Sequence, residues 1–187
     1  MNRLRLALWV ATILGLTACG ERSRPDAVRD ALSGGSDGGT PIEIAHFPLS
    51  DAGVPAGADA TFDPGVSQDG GGSLRVETAR GGRLRLYELR DLGEVQGAVV
   101  YTGFLRSQGL DGEAMLELWC RPAEGEAAFV RSAGTSVTGD AEWTPQEIRF
   151  SRPELCRDPE SVELNVLIRG AGTVWIDDLR LWSVPVE

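Results

Sequence analysis

The fold is decided by the stretch Gly170-Ala-Gly-Thr-Val-Trp-Ile-Asp-Asp-Leu-Arg-Leu181. A glycine-rich turn precedes an apolar segment, and its alternation of residue types is typical of a β-strand that buries one face. The valine and the isoleucine of this segment are predicted to face the core and Trp175 to face outward. Asp177 and Asp178 interrupt the pattern, so they either point to opposite faces or lie on a β-bulge.

The same period of two recurs on both sides of this stretch, in short segments separated by turn signals. It predicts strands at residues 42–46, 73–78, 83–87, 97–105, 114–120, 127–132, 144–150, 161–169 and 173–182. Turns are predicted at Gln108-Gly109 and Asp111-Gly112, and the Gly/Asp/Pro-rich passage 51–72 is predicted to be a loop. Many short strands without a helical repeat indicate an all-β fold, a β-sandwich jelly roll of about 8–9 antiparallel strands.

The composition excludes several classes of function. Acidic side chains outnumber basic ones by 28 to 18, which gives a formal net charge of −10. Nucleic-acid binding depends on clustered Lys and Arg, and the chain contains no lysine, so nucleic acid is not an expected partner. The single histidine, His46, excludes a multi-histidine metal site and disfavours a Ser-His-Asp arrangement.

Alternation also separates core positions from surface positions. In residues 114–120 and 162–168 the even-numbered positions are apolar and are predicted to form the core. The residues predicted to face outward, and to share one surface if their strands lie in one sheet, are Glu117, Trp119, Asn165, Arg169 and Trp175. An exposed indole stacks on the apolar face of a sugar ring, and polar neighbours bind its hydroxyl groups. The alternative for both tryptophans is cross-strand packing beneath a loop.

The N-terminus has the pattern of an export signal. Basic residues precede an apolar segment at residues 6–16. The sequence Leu16-Thr-Ala-Cys19 resembles the lipobox of bacterial lipoproteins, which implies a signal peptide at 1–18 and a diacyl, palmitate-type lipid on Cys19. The alternative is an ordinary secretory signal. Residues 19–40 are polar and glycine-rich, which predicts a flexible tether, and 41–187 is predicted to be the folded domain.

This lipobox resemblance implies a location in the bacterial cell envelope. The residue after Cys19 is Gly20 rather than Asp, so the lipoprotein pattern offers no inner-membrane retention signal, and the outer membrane is favoured where two membranes are present. An exported compartment is oxidising, so Cys120 and Cys156 are predicted to form a disulfide. The alternative is a buried free thiol on the core face and a second thiol in a loop.

Four segments, taken in their order and spacing, resemble the galactose-binding-like jelly roll. They are residues 72–76, 143–150, 162–164 and 172–179. This is the fold of many carbohydrate-binding modules, and the resemblance spans residues 60 to 182. The runs 115–120 and 129–131 are also similar to secreted bacterial domains of this type that carry no assigned activity.

The jelly-roll resemblance also implies a structural calcium ion. Carried over by position, its ligands would be Asp177 or Asp178, Asp69 and backbone carbonyls near Gly72. Calcium prefers such a set of carboxylate and carbonyl oxygens. The alternative is that one aspartate caps a bulge or pairs with an arginine while the other is solvated.

These observations favour a binding domain over an enzyme. Adjacent strand residues point to opposite faces, so Asp177 and Asp178 are not expected to flank one bond. We expect a lipid-anchored envelope domain that binds a glycan or envelope polysaccharide by aromatic stacking on one sheet face. Its membrane contact would be made through the N-terminal lipid alone. The alternative is a non-catalytic scaffold lipoprotein with envelope proteins as partners. A hydrolase or lyase would need two carboxyls converging in one pocket.

Overall fold

The protein is an antiparallel β-sandwich. The computed structural model describes residues 40–50, 60–90, 92, 97–151 and 159–185. The strands are β1 (Ile42–Phe47), β2 (Thr61–Asp63), β3 (Ser73–Thr78), β4 (Gly81–Leu89), β5 (Ala98–Pro122), β6 (Ala128–Arg131), β7 (Val137–Ser151), β8 (Pro159–Arg169) and β9 (Gly172–Val184). Within those ranges the only helical element is a 3-10 turn at Ala133–Thr135. The predicted all-β jelly-roll class is confirmed.

The long strand β5 joins the two halves of the sandwich. The strand order is β2-β3-β9-β5-β8-β4, with β1 on β9 and both β6 and β7 on β5. Residues 98–108 of β5 pair with β9, and residues 113–122 pair with β8. Strand β5 therefore belongs to both sheets, and the core lies between them.

The sequence predicted two strands, 97–105 and 114–120, with turns between them. The structure has the single strand β5 instead, so that prediction was wrong. The segment around residues 108–112 is bulged: its register against β7 shifts on both sides of Leu110. Gly109 has a φ of +59°, and its N–H donates to Asp140 Oδ1 at 2.6 Å. Bulges and tight turns both use left-handed glycine, so here the glycine signal marks a bend within a strand.

The loop expected at 51–72 needs a partial correction. Strand β2 lies inside it and pairs with β3, with Phe62 opposite Leu74. Three residues are too few for alternation to show in the sequence. Residues 51–59 lie outside the described part of the chain.

The predicted core faces are confirmed. The even-numbered positions of 114–120 and 162–168 are buried, and Leu116, Leu118, Leu164 and Val166 are 0% exposed. Burying a side chain of this size contributes about 1.5–3 kcal/mol to folding. These residues fix which face of β5 and β8 is left for polar side chains.

The adjacent aspartates lie on a bulge of β9. Phe104 pairs with Asp177, but Thr102 pairs with Arg180, so the β5 residue between them opposes two residues of β9. Asp178, one of these two, has a φ of +48°. The bulge moves the core-facing set of β9 from even to odd positions, as the interrupted alternation predicted.

Several predictions concern residues outside the described ranges. They are the signal peptide 1–18, the lipidation of Cys19, the tether up to residue 39, and Cys156. Cys120 lies on the core face and is 1% exposed, but its disulfide with Cys156 stays a prediction. In the described ranges no helix has the length and apolar character needed to cross a membrane.

Candidate ligand-binding face

Strands β4, β8, β5 and β6 present a polar surface on the side away from the core, which we name the arginine face. Cross-strand register places Arg131, Glu117, Asn165 and Arg85 in one row. The next row begins with Phe129, Trp119 and Glu163. The residues that define this face are Arg83, Arg85, Glu117, Trp119, Arg121, Phe129, Arg131, Glu163 and Asn165.

Glu117 lies at the centre of the arginine face and its side chain is 0% exposed. Trp119 Nε1 donates a hydrogen bond to Oε1 at 2.6 Å, and Arg131 Nε donates to Oε2 at 2.7 Å. Arg83 Nε also donates to Oε1. One buried carboxylate therefore orients two arginines and the indole.

Glu163 has the same role in the neighbouring row. Arg121 Nε donates to its Oε1 at 2.6 Å, and Arg85 Nη1 lies 3.5 Å from the same oxygen. The Glu163 side chain is 7% exposed. Two buried carboxylates thus organise the four arginines of the face.

Both carboxylates are held in the ionised form. Burial alone would raise the pKa of Glu117, but hydrogen bonds from Arg83, Trp119 and Arg131 outweigh it and lower that pKa. Burial likewise acts to raise the pKa of Glu163, and the hydrogen bond and charge of Arg121 outweigh it. Neither group is therefore a proton donor near neutral pH.

An aromatic pair lies beside these ions. The rings of Trp119 and Phe129 stack with their centroids 4.9 Å apart and an interplanar angle of 28°. Arg83 Cζ lies 4.5 Å and Arg121 Cζ 5.5 Å from the Trp119 ring centroid. The prediction of a freely exposed indole at Trp119 is corrected, because the ring is half-buried; Phe129 is the more open ring, at 45% exposure.

Asn165 is the unpaired polar residue of the face. It is 0% exposed, and neither Oδ1 nor Nδ2 has a hydrogen-bond partner in the structure. A buried amide without partners costs about 1–3 kcal/mol, so such groups are rare in native proteins. The cost is offset if a ligand supplies the missing donor and acceptor.

Trp175 does not join this face, which corrects the expected shared surface. It pairs with Arg75 of β3 and Arg106 of β5, in the other sheet of the sandwich. It is 6% exposed, lies within cation–π distance of both arginines, and donates through Nε1 to Asp63 Oδ2 at 2.9 Å. This is the cross-strand packing that was the alternative.

Arg169 lies further along β8, outside the arginine face. It pairs in register with Glu113, and its Nη1 donates to the Glu113 carboxylate at 2.6 Å. Its side chain is 54% exposed. An exposed ion pair of this kind contributes little to stability, and Arg169 is set apart from the aromatic pair.

The residues proposed for calcium are divided by the bulge. Asp177 is 0% exposed, and its carboxylate accepts from Gln68 N and Asp178 N at 2.8 Å each. Burial, with the charges of Asp69 and Asp178 adding to it, raises the pKa of Asp177 to about 6. Its neighbour Asp178 instead bonds His46 Nε2 at 2.7 Å and Arg180 Nε at 2.9 Å.

Asp177 and Asp69 therefore lie at the same loop, whereas Asp178 makes its contacts with His46 and Arg180. Asp69 accepts from Gly71 N at 2.8 Å. Gly72 has a φ of +100° and lies against the Phe62 ring, where a Cβ would clash. Across the described ranges no three His, Cys, Asp or Glu side chains are grouped to hold a metal ion, so a cation here would depend on backbone carbonyls.

Sequence reasoning missed most of the arginine face. The missed residues are Arg83, Arg85, Arg121, Phe129, Arg131 and Glu163. Each alternates with a core residue of its strand, so the signal was present. It was overlooked because charged strand residues are ordinarily solvated.

Several solved structures that are similar to this chain contain carbohydrate-binding modules. No family model matches the sequence, and no curated protein sequence gives a match. The CBM22-1 xylan-binding domain of Paenibacillus barcinonensis Xyn10C has a TM-score of 0.56 at 11% identity, over 78% of this chain and 97% of that domain. The CBM22-1-CBM22-2 tandem of that protein gives 0.58 at 12% identity, over 82% of this chain and 48% of the tandem.

A third similar structure is the CBM22-1–GH10 part of Clostridium thermocellum xylanase 10B. It gives a TM-score of 0.54 at 12% identity, over 74% of this chain and 28% of that structure. At such identities the likeness concerns the fold. The chain therefore has a β-sandwich fold similar to that of these modules.

Proposed function

We propose that the protein binds a glycan on the arginine face and does not cleave it. The observation that carries the proposal is the half-exposed Phe129 ring, which stacks on Trp119 beside arginines held in place by buried carboxylates. Sugar recognition combines a flat apolar contact with a few polar groups that fix orientation. The arginine face holds both within two adjacent rows of one sheet.

Phe129 would make the aromatic contact with the sugar, and Trp119 packs against the Phe129 ring. Phe129 is 45% exposed, whereas both the Phe129 ring and arginine side chains lie against the indole. A sugar ring packed against the exposed part of Phe129 would place its hydroxyl groups near the arginines, and Asn165, which is 0% exposed, would be reached when those side chains shift. Hydroxyls both donate and accept, so they satisfy an amide oxygen and an amide nitrogen alike.

The lowered pKa values of the two carboxyls support binding without cleavage. Glycoside hydrolysis needs one protonated carboxyl to act as an acid beside a second carboxylate. Glu117 and Glu163 share the face, but the pKa of each is lowered. They hold arginines in place instead of serving the sugar as proton donors.

Lipid anchoring is the second element of the proposal. The sequence ending in Cys19 supports attachment to the envelope by an N-terminal lipid, with the outer membrane favoured where two exist. Metabolic labelling with a palmitate analogue tests this, because Cys19→Ala should lose the label. Label retained by that variant would refute the anchor without touching the binding proposal.

A structural calcium ion is the third element. Asp177 and Asp69 fit it, since the two acidic groups lie near each other and burial disfavours the charge of Asp177. Calcium would neutralise that charge and tie the 67–69 loop to β9. We expect calcium to raise the melting temperature of the wild type and of Asp178→Asn, whose carboxylate faces His46, but not of Asp177→Asn.

The binding proposal is tested with the purified full-length chain and five polysaccharides: xylan, glucomannan, galactan, alginate and polygalacturonate. We expect calorimetry to detect binding to at least one, weakened about tenfold or more by Phe129→Ala or Trp119→Ala, because the loss of a ring contact worth about 1.4 kcal/mol lowers affinity tenfold. The matched control is Trp175→Phe, an aromatic change on the other sheet, which should leave affinity unchanged.

Binding to none of the five polymers by a folded protein would favour the scaffold alternative. Contiguous exposed apolar patches often mark protein-interaction sites. The large apolar side chains that are exposed in the described ranges are Ile42 and Phe129, which lie on β1 and β6 in different sheets. Among the described residues these two side chains do not form one apolar patch, which favours the sugar-binding proposal.

A further inference from the structure

Three arginines of the arginine face are each held through one guanidinium nitrogen. The other two nitrogens of each group are left without a partner among the described residues. Arg83, Arg121 and Arg131 each bond a buried carboxylate through Nε. In the described structure their terminal nitrogens, Nη1 and Nη2, make no hydrogen bond. Their side chains are 42%, 48% and 26% exposed, so these nitrogens are accessible to a ligand.

The orientation of these groups matters as much as their charge. A guanidinium presents its N–H groups as a planar fork that matches the two oxygens of a carboxylate. Because Glu117 and Glu163 hold each group by Nε, the fork is oriented before any ligand arrives. Preorganised donors lose less side-chain entropy on binding than free ones do.

The local charge opposes the charge of the whole chain. The protein has a net charge of −10, yet the four arginines of the face outnumber the three nearby carboxylates, which are Glu117, Glu163 and Glu88, the β4 partner of Glu163. Beyond about 8 Å the overall charge is screened at physiological ionic strength, so a bound group experiences mainly the near arginines. An anionic partner is thus accepted at this face and disfavoured elsewhere on the surface.

The forks also lie against the aromatic pair. Arg83 and Arg121 lie 4.5 and 5.5 Å from the Trp119 centroid, and Arg131 lies 4.4 Å from the Phe129 centroid. A sugar ring packed against the exposed part of Phe129 would therefore bring any carboxylate it carries within reach of a guanidinium fork. A neutral sugar would leave the terminal nitrogens of all three guanidinium groups without a carboxylate to bind.

We propose that the ligand is an acidic glycan, a polymer of hexuronic acid whose carboxylates are bound by Arg121 and Arg131 while a sugar ring packs against the exposed part of Phe129. This inference rests on the proposed glycan-binding function and adds the chemical class of the ligand. Arg83 lies against the Trp119 ring from β4 and supplies the third fork.

The test compares polymers that differ only at the carboxyl group. The full-length chain is titrated with polygalacturonate and alginate, and with the same two polymers after chemical reduction of their carboxyls to neutral alcohols. We expect affinity for the reduced polymers to fall by about tenfold or more, because charge-assisted bonds are lost. Dextran sulfate, a sulfated neutral backbone, shows whether charge alone suffices.

The variants Arg121→Gln and Arg131→Gln should lose most of the preference for the unreduced polymers. Arg75→Gln is the matched control, since Arg75 also lies against a tryptophan, at 5.8 Å, but on the other sheet. It removes the same charge and should keep the preference. Circular dichroism establishes that each variant is folded.

The possible outcomes distinguish failure of the acidic-glycan inference from failure of the proposed glycan-binding function. Equal binding of acidic and reduced polymers, or preference for neutral xylan or galactan, would overturn the acidic ligand and leave glycan binding intact. Dextran sulfate binding as tightly as the uronates would also overturn it, because negative charge without a uronic acid would then be sufficient for binding. Binding to no polymer at all would overturn both proposals.

Discussion

Glu117 and Asn165 are direct partners across β5 and β8, and they are satisfied very differently. Each is 0% exposed. The Glu117 carboxylate accepts hydrogen bonds from two arginines and an indole, whereas neither amide atom of Asn165 has a partner. The carboxylate belongs to the architecture of the face, and the amide is left for something that binds there.

Replacing Asn165 with leucine should not weaken the free protein. Asn165→Leu keeps the approximate shape and removes an amide whose burial costs about 1–3 kcal/mol. We expect the free energy of unfolding, measured by urea denaturation without ligand, to stay unchanged or rise by about 1 kcal/mol. Glycan affinity should fall in the same variant.

A buried amide with partners provides the control. Gln146 is 2% exposed; its Oε1 accepts from Ser132 Oγ at 2.7 Å and its Nε2 donates to the Thr135 carbonyl. Gln146→Leu should therefore destabilise the protein by about 1–3 kcal/mol. If Asn165→Leu lost as much stability as Gln146→Leu, Asn165 would be a structural residue and its role in binding would be refuted.

Lowering the pH should reduce the free energy of unfolding because Glu117 and Glu163 become protonated. The pKa of each is lowered in the folded state, so their stabilising contribution is present above the unfolded value, 4.5, and is lost as the pH falls through the folded value. We expect urea denaturation between about pH 5 and pH 3 to show falling stability. Glu163→Gln should reduce that slope; an unchanged slope would contradict the assignment.

Asp177 should act in the opposite direction and over a different pH range. Burial raises its pKa from 3.8 to about 6, so the folded state holds the proton more tightly, and stability falls as the pH rises from about 4 to 6. In chelator, Asp177→Asn should remove this slope. Its stability should lie about 1 kcal/mol below the wild type near pH 4 and exceed it by about 1–2 kcal/mol at pH 7, because the loss of about 1.4 kcal/mol per pKa unit is removed while an accepting carboxylate oxygen is replaced by an amide nitrogen at every pH.

The fold was predictable because alternation is a local property of the sequence. Leu116 and Leu164 were assigned to the core correctly, since a strand buries every second residue. The course of β5 was not predictable, because Gly109 has the same left-handed backbone in a bulge as in a turn. Only the pairing with β7 and β8 tells the two apart.

The candidate site was predictable in part for a related reason. Glu117, Trp119 and Asn165 lie together because their strands are neighbours, whereas Trp175 has the same outward position on a strand of the other sheet. Strand order depends on contacts between distant segments, which a single sequence does not reveal. The importance of Arg121 and Arg131 likewise depends on the two buried carboxylates that orient them.

The predicted disulfide leads to the last expectation. Cys120 is buried on the core face of β5, and a bond to Cys156 would close a loop that contains β6 and β7. Such a loop stabilises the folded state by about 3–4 kcal/mol, chiefly by restricting the unfolded chain. Protein exported to an oxidising compartment should resist thiol alkylation when unfolded, and reductant should lower its urea midpoint. Alkylation of both cysteines without reductant would show that they are thiols; Gln68→Ala, which leaves both cysteines in place, serves as the control for the alkylation and should behave as the wild type.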